Sequence, residues 1–432
     1  MLDFLDSVAW EGENIPAPRA VLNPAGACGT MGAINITEVS LYGTEKSPDH
    51  GLRPGVHEMS RALGIYIHVP FCKQKCVYCD FYSLPRREDQ MDAYAAALRS
   101  QLFETDFSGY EADTVYFGGG TPSYLGPRRL TALLEAVFAA CPIAPGAEIT
   151  LEANPDSAGD PDALSALRRA GFNRVSLGMQ SADDGELKSI GRVHTMAQVR
   201  SAVEAARKAG FDNLSLDLIY GLPGQDLPRW RKNLSAAAEL CPEHLSCYGL
   251  KAEPGTPLYA RRESLPGDEV QADMYLETVG FLEKRGWKQY EISNFAKPGR
   301  ESRHNLKYWT LGEYAGFGPG AHSDFRGVRY AWARDFEAFL RGDRILSETR
   351  RMAPRDREAE WLMLSLRLAR GLDAADWEGR FRRSFAPFLP FLERCEAAGY
   401  AARAEGRWRL TPRGFLVSNQ IIGELLAQIE EE

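Results

Sequence analysis

The hydrophobic and polar positions between residues 65 and 250 follow two alternating periods. Short runs with a period of two predict strands, and longer stretches with a helical period lie between them. The predicted strands are 65–71, 114–120, 148–155, 174–181, 213–221 and 244–250, and the predicted helices are 89–104, 128–140, 161–171, 196–210 and 230–240. Because a helix separates consecutive strands, we expect parallel pairing through right-handed crossovers, in a barrel or partial barrel.

Each predicted strand has one apolar and one polar face, since successive side chains point to opposite sides. The apolar faces, such as Ile65, Ile67 and Val69, suit contact with the covering helices. A closed eight-stranded barrel fills its interior with branched apolar residues, so the pattern favours an open barrel of about six strands around a polar, ligand-binding lumen. The alternative is that these are ordinary polar residues near strand ends. The polar faces carry Tyr66, His68, Tyr116, Thr150, Glu152, Ser176, Gln180, Ser215 and Asp217.

The alternation is confined to the middle of the chain, and four segments are expected. Residues 1–60 lack periodicity and contain five prolines, which indicates a loosely ordered extension. Residues 61–300 form the α/β partial barrel, and 301–345 form a connection. Residues 346–432 are mostly helical and include a hairpin, AARAEGRWRL, which predicts a winged-helix-like domain. This last segment has no basic stripe, so nucleic-acid binding is not expected.

Charge and hydropathy narrow the class of protein. The 432 residues carry 51 Lys and Arg against 59 Asp and Glu, a net charge of −8 that disfavours non-specific nucleic-acid binding. No apolar run is long enough to span a membrane, so membrane contact is at most peripheral. The first residues are acidic and resemble neither a secretory signal nor a transit peptide. We therefore expect a cytoplasmic protein, whose clustered cysteines are metal ligands rather than disulfides.

The strongest chemical signal is HVPFCKQKCVYC, residues 68–79. Cys72, Cys76 and Cys79 directly follow the first strand, at the carboxyl end where barrel sites form. Three thiolates can hold three irons of a [4Fe–4S] cluster and leave the fourth iron for a non-protein ligand. Structural zinc is the alternative, but it normally takes four protein ligands, and no further pair with ligand spacing follows nearby.

A combination of motifs is similar to the radical S-adenosylmethionine (SAM) superfamily. These motifs are YIHVPFC, YFGGGTPS, LEANP, VSLGMQS, GRVH and LDLIYGLPGQ, and the resemblance spans about residues 63–425. It narrows to the branch that contains oxygen-independent coproporphyrinogen III oxidase and the HemW heme chaperones. The resemblance implies that SAM binds the open iron, and that the reduced cluster cleaves SAM to methionine and a 5′-deoxyadenosyl radical.

The resemblance also implies which residues hold SAM. Tyr66 would contact the methionine end, and Gly119, Gly120 and Thr121 would form a backbone strip that the ligand approaches closely. Glu152 and Gln180 would accept hydrogen bonds, and Asp217 would hold the ribose hydroxyls. Arg192 would bind the SAM carboxylate, unless it is a solvated loop cation. Tyr78 would pack near adenine, unless it serves packing alone.

Two features separate the two functions of that branch. The cysteine pattern of the oxidase is CxxxCxxCxC, whereas this sequence has Phe81 in place of the last cysteine. The segment His304–Trp309 matches the HNxxYW motif of the heme-binding branch, which implies that His304 contacts heme, with His322 as a second candidate. The alternative for His304 is a loop histidine at the junction between domains.

The sequence therefore predicts a heme chaperone that keeps a radical-SAM cluster and passes heme to respiratory acceptor proteins. A reductant such as flavodoxin or ferredoxin would serve the cluster. The alternative is a porphyrin-pathway enzyme that oxidatively decarboxylates coproporphyrinogen III. No catalytic side chain is assigned, and enzymatic activity stays open.

Overall fold

The computed structural model describes residues 60–430, so the predicted extension lies outside the described residues apart from Ser60. Its strands are β1 (Arg61–Val69), β2 (Phe71–Cys72), β3 (Leu84–Pro85), β4 (Tyr110–Gly119), β5 (Ile143–Ala153), β6 (Arg174–Gln180), β7 (Leu214–Tyr220), β8 (His244–Gly249), β9 (Lys288–Gln289), β10 (Asn294–Ala296), β11 (Tyr314–Phe317), β12 (His322–Phe325), β13 (Val328–Trp332), β14 (Leu346–Arg351), β15 (Leu372–Asp373), β16 (Ala401–Ala404) and β17 (Arg407–Leu410).

A twelve-stranded sheet forms the centre of the molecule, in the order β14-β13-β12-β11-β1-β4-β5-β6-β7-β8-β10-β9. Neighbours from β11 through β1 and β4 to β8 are parallel, and the flanking pairs are antiparallel. The parallel order of the six predicted strands and the α/β partial-barrel class are confirmed. The sequence did not predict β11, the further parallel strand beside β1, because it is short and ends in a glycine-rich segment.

Helices cover the apolar face of this sheet, and several begin where a side chain caps the first turn. Asp160, Asp183 and Asp226 each accept a backbone N–H of the helix that follows. Thr195 and Gln198 form a reciprocal capping box. The α-helices are Met91–Glu104, Pro127–Ala140, Pro161–Ala170, Asp184–Ser189, Met196–Lys208, Leu227–Glu239, Asp268–Glu283, Arg303–Trp309, Phe336–Arg341, Pro354–Leu366, Ala374–Phe381, Leu389–Ala397, Pro412–Leu416 and Ser418–Glu430.

The two faces of the sheet differ as the strand parity predicts. Ile65, Ile67 and Val69 of β1 are fully buried in the core shared with the helices. On the opposite face, Tyr66, Glu152 and Asp217 keep partial access to solvent. The polar face therefore lines the concave interior of an open barrel, which places the ligand-binding groups inside it.

The last part of the chain packs helices around a small antiparallel sheet in the order β15-β17-β16. The predicted hairpin is the pair β16 and β17, to which β15 adds a two-residue third strand. The mostly helical, winged-helix-like character of this region is confirmed. No helix within residues 60–430 is long and apolar enough to cross a membrane.

Candidate functional site

The thiol loop after β1 is fixed to the carboxyl ends of the parallel strands. The backbone N–H of Val77 donates to Ile190 O at 3.2 Å, and that of Leu258 donates to Val77 O at 2.9 Å. Val77 and Tyr78 also pack against a small apolar cluster that includes Ile190 and Leu258. Tyr78 thus packs beside the thiols, and its hydroxyl also interacts with Cys76 and Arg192.

The three cysteines share this loop and are free thiols. The Cys72 sulfur is buried and lies 3.5 Å from Thr121 Oγ1, whereas Cys76 and Cys79 are partly exposed. Burial raises the pKa of Cys79 to about 11, and the charges of Cys76 and Cys72 raise it as well. Among residues 60–430, no three His, Cys, Asp or Glu side chains stand in a metal-ligating arrangement. The donor type and number nevertheless fit a cluster with one open iron, and mutual repulsion would be relieved by a bound cation.

The glycine strip at the end of β4 packs too closely against β1 for any side chain. Gly119 has φ +111°, and a Cβ there would lie 2.6 Å from the His68 ring. A Cβ at Gly120 would lie 2.7 Å from Phe71 O, and the Gly120 N–H donates to Val69 O at 2.8 Å. Thr121 continues the strip with a 2.7 Å bond to Phe71 O. Internal packing therefore requires glycine at both positions, and Gly119 and Gly120 keep partial access to solvent at the barrel mouth.

Arg192 joins the thiol loop to the strand ends. Its Nη1 lies 3.6 Å from Cys76 Sγ, and its Nη2 donates to Asn154 Oδ1 at 2.5 Å and to Gly178 O at 3.1 Å. Asn154 in turn donates to Thr121 Oγ1 at 2.9 Å. A solvated loop cation does not fit this arrangement. A cavity of about 310 Å³ lies here, lined by Lys73, Gln74, Cys76, Thr121, Tyr124, Asn154, Asp156, Ser157, Gly191, Arg192 and Val193.

Glu152 on β5 and Asp217 on β7 both face the interior, and β6 lies between their two strands. Glu152 accepts the Tyr116 hydroxyl at 2.7 Å and the Gly119 N–H at 3.1 Å. Burial raises the pKa of Glu152 to about 7, to which the charge of Asp217 contributes. Asp217 accepts the Ser176 hydroxyl at 3.1 Å, and burial raises its pKa also. Both carboxyls are poised to exchange protein partners for ligand donors.

Tyr66 on β1 and Gln180 at the end of β6 are the remaining predicted SAM-binding residues. The Tyr66 hydroxyl bonds to His68 Nδ1 at 3.0 Å, and burial raises its pKa well above the usual value. Gln180 has φ +62°, next to a register irregularity between β6 and β7. Such a bulge redirects a side chain at a strand end, which is common near functional sites.

His304 lies at the other, amino-terminal end of the barrel. The segment Arg303–Trp309 is a helix, not a loop, and its first N–H groups at Arg303 and His304 donate to Glu148 at 2.9 and 3.0 Å. The His304 ring is fully buried, with Nδ1 2.8 Å from Thr114 Oγ1 and Nε2 2.8 Å from Tyr308 OH. Burial and the charges of Lys307 and Arg174 lower its pKa to about 3.

The structure therefore links Cys76 to Arg192, Arg192 through Asn154 to Thr121, and Glu152 to Gly119. The His304 ring stacks on those of Tyr116 and Tyr66, with centroids 5.1 and 6.4 Å apart. His322 starts β12 and lies 3.4 Å from Glu348 on β14, away from His304. The assignment of heme contacts to these histidines stays a prediction.

Two interior residues were missed by the sequence reasoning, Asn154 and Arg174, whereas Tyr116 was predicted on the polar face but was given no role. Asn154 stands two positions after Glu152 in LEANP, and strand parity could have found it. Parity also places Arg174 on the face of Ser176 and Gln180, where it is 1% exposed.

Comparisons with known proteins agree with this fold. The family description "Radical SAM superfamily" matches residues 66–234, and "HemN C-terminal domain" matches residues 352–417. Coproporphyrinogen III oxidase (HemN) from Escherichia coli, described as a radical SAM enzyme, superposes with a TM-score of 0.74 at 25% identity, over 84% of this chain and 90% of that one. The fold and the family match define a protein of the radical SAM superfamily.

Relatives of known sequence narrow this class. Heme chaperone HemW of Escherichia coli (strain K12) is 36% identical over 375 residues, which cover 85% of this chain and 98% of that protein. Heme chaperone HemW of Bacillus subtilis (strain 168) is 35% identical over 378 residues, 84% of this chain and 99% of that one. The chain belongs to the HemW family.

Proposed function

We propose that this protein is a heme chaperone that holds a [4Fe–4S] cluster and SAM at the barrel mouth and carries heme to respiratory acceptor proteins. The observation that carries the proposal is Phe81. It lies on the thiol loop with 54% of its surface exposed, where the oxidase pattern has a further cysteine. A phenyl ring can neither ligate iron nor move a proton, so the loop keeps the donors for a cluster and lacks the oxidase's extra thiol.

Cys72, Cys76 and Cys79 would hold the cluster, which supplies one-electron chemistry towards SAM when bound. Arg192 would meet the SAM carboxylate beside Cys76, since its guanidinium already contacts that sulfur at 3.6 Å. Glu152 and Asp217 would orient the ligand by accepting its N–H and O–H donors, and the glycine strip would lie against it. These groups bind and orient SAM, and none of them needs to react.

Heme would bind at the HNxxYW helix. A groove of about 420 Å³, open to solvent, adjoins this helix and is lined by the rings of Tyr308, Trp309 and Tyr314 together with Leu311 and Leu364. Flat apolar walls of this kind suit a macrocycle. Lys307 and Arg329 also line the groove, and they would bind the propionates by exchanging their present partners Asp113, Asp324 and Glu360. His304 reaches heme iron in this proposal when Tyr308, whose ring separates it from the groove, gives up its hydrogen bond to Nε2.

The rim of the thiol loop offers a docking surface for the reductant. Lys73, Lys75 and Arg86 are exposed there, beside the exposed ring of Phe81. An acidic one-electron donor such as flavodoxin or ferredoxin complements this charge.

The test combines a heme titration with a product assay after anaerobic reconstitution of the cluster. We expect about one heme per chain and no vinyl product from coproporphyrinogen III. The matched control is a Cys72→Ser, Cys76→Ser, Cys79→Ser variant, which should lose iron and sulfide but keep heme. Efficient formation of vinyl product would overturn the chaperone proposal and favour the oxidase, whose fold superposes on this one.

A further inference from the structure

A fully buried arginine stands inside the barrel, apart from the thiol loop. Arg174 begins β6 and is 1% exposed. Its strand parity is that of Ser176, Gly178 and Gln180, so the side chain belongs to the polar interior face. Its Nε has no hydrogen-bond partner among residues 60–430. Burying a cation is costly unless nearby charges compensate it, so its presence calls for a reason.

Arg174 is surrounded by ionisable groups from the elements that line the interior. The charges of Glu148 and Asp217 and the hydroxyls of Tyr116 and Tyr290 outweigh the effect of burial and raise the pKa of Arg174, so it stays charged. Its charge helps to lower the pKa of His244 and of His304, which therefore stay neutral. The groups facing it are Glu148 on β5, Tyr116 on β4, Asp217 on β7, His244 on β8, Tyr290 before β10 and His304 on the HNxxYW helix.

The same charge acts on both carboxyls that face the SAM site. Burial raises the pKa of Glu152 and of Asp217, and in each case Arg174 opposes the rise. Glu152 otherwise faces Tyr116, the Gly119 N–H and Asp217, and Asp217 otherwise faces Ser176, Ser215 and Ser246. In the register of the sheet, Arg174 lies opposite Thr150 of β5 and two positions before Ser176, which lies opposite Glu152 and donates to Asp217. Arg174 therefore lies on the interior face, one same-face position from the residue that borders both carboxyls.

We propose that Arg174 is a positioning residue of the SAM site: it keeps Asp217 and Glu152 as carboxylates, so that both accept hydrogen bonds from the ligand. A protonated carboxyl keeps one acceptor oxygen and presents an O–H that opposes a hydroxyl or ammonium donor. Arg174 does not touch the ligand in this role. The inference rests on the proposed function only in taking SAM as the ligand.

The experiment is a calorimetric titration of the cluster-loaded protein with SAM, across about pH 6 to pH 9. For the wild type, affinity should rise with pH and level off above about pH 8. For Arg174→Met, the curve of SAM affinity against pH should move by about one pH unit to higher pH, which is a loss of about tenfold in affinity near neutral pH. Most of that loss should disappear at the alkaline end. Arg174→Lys, which keeps the charge, should restore most of the wild-type curve.

Two controls separate electrostatic positioning from structural damage. Arg207→Met removes an arginine from a partly buried ion pair with Glu243 at 2.9 Å, outside the barrel, and should leave the curve unchanged. In an Asp217→Asn background, Arg174→Met should reduce SAM affinity clearly less than it does in the wild type, because one of the two carboxyls on which Arg174 acts is gone. If Arg174→Met alone folds poorly, the SAM affinity of Arg174→Lys is measured instead, in the wild-type and in the Asp217→Asn background.

A loss of affinity by Arg174→Met that is equal at every pH overturns the inference, because it indicates a structural role. A wild-type protein that binds no SAM at any pH overturns the SAM site itself, and with it the proposed function. The two failures are therefore distinguishable.

Discussion

Glu152 lowers the stability of the fold at neutral pH but gives the interior a hydrogen-bond acceptor. Its pKa is raised from 4.5 to about 7, chiefly by burial, so the folded state holds the proton more tightly than the unfolded chain does. Stability attributable to Glu152 is therefore highest at low pH and falls as the pH rises between those two values. Above this window the buried charge is a constant cost, which the site tolerates because the carboxylate binds donors.

We predict that Glu152→Gln makes the protein more stable but weakens SAM binding. The neutral amide avoids the buried charge, and we expect a gain of about 1–2 kcal/mol near pH 8, after allowing for a poorer hydrogen bond from Tyr116. Near pH 5 the gain should vanish, because the wild-type carboxyl is then protonated. Denaturant unfolding at both pH values measures the effect. A variant less stable than the wild type near pH 8 would contradict it.

His304 and Tyr308 give a second test at this scale. Because Tyr308 OH occupies His304 Nε2 at 2.8 Å, heme iron would compete with this hydroxyl in the proposed site. Tyr308→Phe leaves a ring that can turn aside without breaking a hydrogen bond to Nε2, so we predict heme affinity about threefold to tenfold higher, the equivalent of one hydrogen bond. His304→Ala should lose the heme spectrum. An unchanged spectrum in His304→Ala would remove His304 from the site.

At the scale of elements, the period-two and helical patterns located the barrel closely. The predicted helix 161–171 is observed as Pro161–Ala170, and the predicted helix 196–210 as Met196–Lys208. The helix Arg303–Trp309 was not predicted, because its anchors come from far along the chain. Glu148 accepts its first N–H groups, and Lys307 pairs with Asp113 at 2.7 Å. Such contacts depend on tertiary structure and leave no local periodicity.

The site residues also divide into those that a local pattern predicts and those that depend on tertiary contacts. Strand parity found Glu152 and Asp217, because both depend only on the alternation of faces. It missed the role of Asn154, since the bond between Asn154 and Arg192 joins two loops that the sequence separates. The domain bounds given above stay predictions.

We predict that Glu148→Gln loosens the HNxxYW helix without unfolding the barrel. The carboxylate accepts two N–H groups at the positive end of that helix, and we expect the loss of this cap to cost about 1–2 kcal/mol. Glu148 also faces the buried Arg174, so a smaller effect on the neighbouring end of β6 is expected as well. Hydrogen exchange of residues 303–309 should become faster. The matched control is Asp160→Asn, which weakens the cap of Pro161–Ala170 and should leave residues 303–309 unchanged. Equal acceleration throughout the sheet would show that Glu148 supports the fold as a whole.

For the whole molecule, the question is how the C-terminal helices are held to the barrel. Asp324 on β12 accepts from Arg329 on β13 at 2.8 Å and from Arg357 on the helix Pro354–Leu366 at 2.6 Å. Burial acts to raise the pKa of Asp324, but these two arginines outweigh it and lower the pKa. The network therefore ties the last helices to the antiparallel edge of the twelve-stranded sheet.

We predict that Asp324→Asn lowers the free energy of unfolding by about 2 kcal/mol, because it removes one of the two buried carboxylates that Arg329 and Arg357 share, while Glu360 stays paired with both. The wild type should lose this contribution as the pH falls below about 4, whereas the variant has none to lose. Asp106→Asn, which removes a half-exposed pair with Arg326, should cost less than about 1 kcal/mol. Calorimetry of both variants checks the contrast, and equal losses would contradict it.

The helix that Glu148 caps has a consequence for access to the interior. It lies across the amino-terminal ends of β1, β4 and β5, where His304 packs beside Gly64 and Thr114. Among the described residues, this helix therefore covers the amino-terminal end of the interior. The ligand proposed for the thiol loop would enter and leave on the opposite side, where the parallel strands have their carboxyl ends.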